Sequence, residues 1–208
     1  MERQIKPVEN NYDKQRTYRQ HKGRYKLAIE QEFFFEALLI DYALLEDRLR
    51  SIIYHMGFLS DRSSTKVWKK KKEYLQNIVE NYKNPKDSVQ LGITNITGKI
   101  KIVRCVLRWA AYTEGGYSQD KHLTMLKSQC ESVDVDGVLF ALERIEAWCK
   151  YRNEVIHCLM NKNLESLSEQ LKEKAEEGMD LANYLDAQCR VLKKRNKIRK
   201  SANLQTKC

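Results

Sequence analysis

Proline and glycine are scarce in this chain, 2 and 8 among 208 residues. Turn-rich β architectures use both freely, so the composition favours helices. The six cysteines (105, 130, 149, 158, 189, 208) form no Cys-x-x-Cys pair. That removes the usual zinc-ribbon and dithiol spacings and leaves metal binding with histidine as a minor alternative. The first residues are charged and no apolar h-region follows, so a secretory signal is not expected. No apolar run is long enough for a transmembrane span. These absences predict reduced thiols in a cytoplasmic protein that does not enter a membrane.

Charge is plentiful. Charged residues make up 32% of the chain and the formal net charge is +10. Much of the excess sits at the C-terminal end, where Arg190, Lys193, Lys194, Arg195, Lys197, Arg199, Lys200 and Lys207 occur with no acid among them. A second cluster is Lys66 with Lys69, Lys70, Lys71 and Lys72. Such runs favour polyanions, and also suit solvated helix ends, where cations complement the dipole. Lys69–Lys72 and Lys193, Lys194 and Arg195 are the candidate nucleic-acid contacts.

Three segments follow from the patterning: a polar N-terminal arm over 1–23, frayed or serving as a short docking segment; a helical bundle over 24–192; and a basic tail over 193–208. The longest helical signal covers 24–57, with Leu27, Phe34, Leu38, Tyr42, Leu45, Leu49 and Ile53 at steps of four and three and one gap of seven. The run 33–40 is apolar nearly all round, which predicts cover on more than one side. Residues 66–82 read as an exposed helix. Residues 89–112 read as helical in their second half, with Arg104 and Arg108 as a phosphate clamp or a surface pair. The loop 113–120 contains Gly115-Gly116 but lacks the Lys-Ser/Thr of a P-loop. Asp134 or Asp136 can cap the helix over 136–160. The last helix, 164–200, places Leu164, Leu167, Leu171, Ala175, Met179, Ala182, Leu185, Cys189 and Leu192 at three-four alternation, which suits an up-down bundle.

The helix over 136–160 carries the chemistry. Val138, Leu142, Ile145, Cys149 and Ile156 keep one face inward, and Arg152 falls on that stripe. A cation there needs a partner or a wet cleft, because burying it alone costs several kcal/mol. Asn153 and His157 are four apart and form a polar ridge beside it. Arginine grips phosphate through a rigid fork of donors, and imidazole moves protons near neutral pH.

The hexapeptide Arg152-Asn153-Glu154-Val155-Ile156-His157 resembles the Arg-x4-His signature of the HEPN superfamily. The layout, a long apolar helix opening the bundle and a motif helix late in the chain followed by another long helix, is also similar over 24–192. The resemblance implies an all-α, up-down bundle of the HEPN type, here with extra short helices and a basic C-terminal helix end. It further implies a homodimer and, in many members, a metal-independent endoribonuclease without cofactors, acting as a toxin or in antiviral defence with an antitoxin or defence-complex partner. Arg152, Asn153 and His157 would be catalytic: His157 as base or acid, Arg152 on the phosphate, Asn153 orienting RNA or the imidazole. The first bundle helix would supply an acid to Arg152, with Glu36 and Asp41 as candidates. The toxins paired with a nucleotidyltransferase carry Tyr two residues after the histidine. This chain has Leu159 there, so the resemblance does not extend to that adenylylation switch. Two other readings stay open: a non-catalytic helical module that binds nucleic acid or a partner protein, and an adaptor whose apolar first helix docks another chain.

Overall fold

The computed structural model describes residues 11–59, 66–85, 94–113, 120–158 and 168–195. Among them are seven helices and no strand: α1 (Asn11–Glu30), α2 (Phe34–His55), α3 (Lys66–Tyr82), α4 (Ile96–Tyr112), α5 (Lys121–Cys130), α6 (Val135–Cys158) and α7 (Ser168–Lys194). The all-α class is as expected. Residues 1–10, 60–65, the Gly115-Gly116 loop, Leu159, Leu164, Leu167 and the tail beyond Arg195 lie outside the described residues.

The single helix expected over 24–57 is two helices. Glu32 has φ 60, a left-handed conformation that costs a residue with a Cβ on the order of 1 kcal/mol. The chain closes around it: the Phe33 N–H donates to the Ala28 carbonyl (2.7 Å) and the Glu32 N–H to Ile29 (3.2 Å). The same pair of bonds ends α2, from Phe58 to Ile53 and from Gly57 to Tyr54, both 3.1 Å. There the left-handed residue is Gly57, φ 85, which takes it without strain. The apolar gap of seven, Leu27 to Phe34, spans the first of these breaks.

Helix α1 thus begins inside the segment read as a polar arm, and its described part docks. Lys14 pairs with Asp47 at 2.9 Å, and the Arg48 guanidinium lies 4.1 Å from the Tyr18 ring centroid. Lys22 donates to Asn183 (2.7 Å) and Tyr25 to the Ala175 carbonyl (3.2 Å). The last two pairings run in opposite senses along the two helices, so α1 is antiparallel to α7.

Helix α2 is the hub. It buries Ala37, Leu38, Leu44, Leu45, Leu49, Ile52 and Ile53, each leucine or isoleucine contributing about 1.5–3 kcal/mol. Its most extensive partner is α7. Arg48 meets Asp186 at 2.6 Å, and Asp41 lies where a Cβ on Gly178 would fall. Partner numbers rise together along both helices, so α2 and α7 run parallel. Helix α6 packs antiparallel to α7: Tyr184 donates to Asp134 (3.0 Å), Arg144 pairs with Glu177 (2.8 Å), and the Trp148 indole donates to the Lys174 carbonyl (2.7 Å). Of the two candidate caps, Asp134 is the one used, its Oδ1 accepting from the Gly137 N–H at 3.0 Å. Helix α4 starts at the Asn95 cap, which accepts from the Gly98 N–H at 2.7 Å. No helix among the described residues is long and apolar enough to cross a membrane.

Candidate functional site on helix α6

The inward stripe of α6 is buried through Val138, Leu142, Ile145 and Cys149. It then opens. Arg152 and Ile156, expected on the stripe, are half-buried, Val155 is buried in Ile156's place, and Asn153 and His157 are exposed. Among the described residues no carboxylate pairs with Arg152. Its guanidinium sits 4.4 Å from the centroid of the Tyr42 ring, and its Nη1 donates to Asn153 Oδ1 at 3.2 Å. Its Nε is buried and has no hydrogen-bond partner among the described residues. A cation over an aromatic face is held by the ring quadrupole, which leaves its charge uncancelled.

Neither expected acid reaches Arg152. Glu36 is exposed on the first turn of α2. Asp41 is wholly buried and faces α7, with neither carboxylate oxygen hydrogen-bonded. Burial, with Asp180 adding to it, pushes its carboxyl up to about 8. The reason is rotation: successive helical residues point about 100° apart, so Asp41 turns to Gly178 while its neighbour Tyr42 turns to α6. Around Arg152 the environment suppresses ionisation of its neighbours. Burial pushes the Cys149 thiol up to about 12, and burial, then Glu46 and Cys149, raise the Tyr42 phenol.

Two buried cations on α4 border this region. Lys99 pairs with Glu46 at 2.6 Å and Arg104 with Glu146 at 2.5 Å, their side chains 5% exposed and those of the glutamates 34%. Arg104 and Arg108 are thus neither an open clamp nor a surface pair: Arg104 is buried on Glu146, and Arg108 donates to Asn84 at 2.8 Å.

The basic candidates divide. Lys69, Lys72, Lys193, Lys194 and Arg195 are exposed. Lys70 is exposed but lies 3.4 Å from Asp120. Lys71 is half-buried, and that burial pushes its amine down. His122, at the start of α5, stands outside the motifs of the sequence. Its ring stacks on Tyr74 with centroids 5.8 Å apart and meets Phe58 edge-on at 6.5 Å. Burial, then Lys71, pushes its imidazole down to about 4, so it is neutral at pH 7. Among the described residues no group of three His, Cys, Asp or Glu side chains is placed to hold a metal ion. No protein-family model, curated protein or solved structure matches this chain.

Proposed function

We propose that the protein is a metal-independent endoribonuclease of the HEPN type, with Arg152, Asn153 and His157 as its catalytic residues. The observation that carries this reading is the state of Arg152: a half-buried guanidinium braced by an aromatic ring and an amide, with no carboxylate on it among the described residues. Arginine placed in that way is ready for an anion, and a bidentate hold on phosphate uses its planar fork. His157 is exposed on the same helix, within about 8 Å along the axis by the rise of five residues.

In the reaction the 2′-OH of RNA attacks the adjacent phosphorus. The hydroxyl loses its proton to a base, the P–O5′ bond breaks, and the departing 5′-oxygen takes a proton from an acid. The products are a 2′,3′-cyclic phosphate and a 5′-hydroxyl. Arg152 stabilises charge on the phosphoryl oxygens, and His157 carries one proton. One motif imidazole per chain leaves the second proton carrier to be supplied, and a two-fold pair of chains would place a second His157 there. A toxin or antiviral role belongs to this reading.

Single-stranded labelled RNA incubated in EDTA tests it. Wild type is expected to cut, with His157→Ala and Arg152→Ala down by at least about a hundredfold, the size of a general acid–base contribution. RNA that is bound equally by all three proteins and cut by none would instead support a non-catalytic binding module, which the exposed lysines of α3 and α7 already favour.

A further inference from the structure

Lys99 is unfavourably placed twice over. It is 4% exposed, and taking an ammonium out of water is strongly unfavourable. It also lies in the first turn of α4, where the helix dipole already presents positive charge. Its Nζ meets Glu46 Oε1 at 2.6 Å. Apolar side chains in place of a buried ion pair often hold a fold as well or better. The pair therefore calls for a reason besides stability.

Its position supplies one. Glu46 follows Tyr42 by four residues on α2, so the two share a face, with Cβ atoms about 5–6 Å apart. Helical side chains lean towards the N-terminus of their helix, which tilts Glu46 over the turn that holds Tyr42. Tyr42 in turn carries the Arg152 guanidinium, 4.4 Å from its ring centroid. Both charges act on that phenol: burial raises it most, Glu46 next, and Arg152 lowers it. Glu46 is thus a carboxylate beside a cation with which, among the described residues, no carboxylate pairs. Its side chain is 34% exposed, which leaves it room to turn. Glu146, six residues before Arg152 on α6, is likewise held by the buried Arg104, at 2.5 Å.

We propose that Lys99 is a positioning residue: by holding Glu46 it keeps the Arg152 guanidinium free for a phosphate. The inference rests on Arg152 as the phosphate contact of the proposed reaction. Without Lys99, Glu46 turns to Arg152 and competes with RNA for its donors. Replacing Glu46 as well removes the competitor. A purely structural Lys99 would show no such rescue.

The experiment uses the full chain and two readouts. One is the single-turnover rate on labelled single-stranded RNA in EDTA. The other is the Nε–H magnetic resonance signal of Arg152 in protein carrying isotope-labelled arginine, assigned by its loss in Arg152→Ala. That Nε is buried without a hydrogen-bond partner among the described residues, so its proton is sheltered and reports a new one. Lys99→Met is expected to shift the signal and to lower the rate about tenfold or more, the size of a hydrogen bond to a charged group. Lys99→Met/Glu46→Gln is expected to return the signal to its place and the rate to within about threefold of wild type, as coupled positions do. Glu46→Gln by itself keeps an acceptor for Lys99 and is expected to leave the signal where it is. Near-ultraviolet circular dichroism checks each fold; should Lys99→Met not fold, Lys99→Gln replaces it with the same expectations. A signal that moves and returns while no protein cuts RNA supports this role for Lys99 and refutes the nuclease reading. An unmoved signal in Lys99→Met, a wild-type rate in Lys99→Met, a shift in Glu46→Gln alone, or a loss that Glu46→Gln does not restore overturns the proposal.

Discussion

Tyr42 and Arg152 form the contact between α2 and the motif helix, a guanidinium over an aromatic ring at 4.4 Å. A carboxylate at Tyr42's position would neutralise Arg152. The ring positions the cation and leaves its charge available. Tyr42→Phe keeps the ring and is expected to keep RNA cleavage within about twofold. Tyr42→Leu removes about 0.5–2 kcal/mol of cation–π attraction, which corresponds to a fall of about two- to thirtyfold in cleavage rate. Single-turnover rates of the two variants check it. Equal rates for Phe and Leu would show that the ring does not position Arg152.

The α2–α7 contact depends on Gly178. A Cβ there would lie 2.8 Å from Asp41 Oδ2 and 2.9 Å from both Asp41 Cβ and Trp148 Cζ2. Overpacking of this kind costs about 1–3 kcal/mol, more than the roughly 1 kcal/mol that alanine regains in helix propensity. Gly178→Ala is therefore expected to destabilise the protein. Gly23→Ala is the control: nothing lies within 4 Å of its Cβ position, and the variant is expected to gain about 0.5–1 kcal/mol. Urea melts of both variants measure the difference, and a stabilising Gly178→Ala would contradict the close approach.

Asp41 makes stability depend on pH. Its folded carboxyl is raised to about 8 from an ordinary 3.8 by burial, with Asp180 adding to it. The folded state thus holds a proton that the unfolded chain gives up earlier. The contribution is complete below about pH 4 and is lost as pH rises from there through about 8. Tyr25 of α1 and Asp180 of α7 are the titratable groups coupled to it, and Trp148 and Gly178 pack around it. Asp41→Asn keeps the shape and removes the titration. It is expected to be more stable than wild type by on the order of a few kcal/mol at pH 8, with the gap closing towards pH 4. Melts at pH 4, 6 and 8 that run parallel for the two proteins would contradict this.

The helices were largely legible because their causes are local. The stripe Val138–Leu142–Ile145–Cys149 and the Leu171-to-Leu192 alternation in α7 are period patterns, and both are buried as expected. The break at Glu32 was not legible: Glu is a good helix former, and only the two closing hydrogen bonds of Phe33 and Glu32 reveal a left-handed residue. The partner of Arg152 was missed for a related reason. A buried cation calls for a carboxylate, and Tyr42 belongs by its spacing to the apolar stripe of α2. The choice between Asp41 and Tyr42 is a rotation of about 100°, finer than a periodicity with several registers can fix. The Lys99–Glu46 pair joins α4 to α2 and carries no signature in either segment.

The central claim, cutting by an uncancelled Arg152 and an exposed His157 without metal, is tested most directly by the fate of the 2′-oxygen. In EDTA, wild type is presented with one RNA oligonucleotide and its fully 2′-deoxy counterpart, beside the Arg152→Ala/His157→Ala double variant. The account predicts that wild type cuts only the RNA, leaving a 2′,3′-cyclic phosphate and a 5′-hydroxyl, and that the double variant cuts neither. Cleavage of the deoxy strand, cleavage by the double variant at the wild-type rate, or no cleavage by wild type would contradict it.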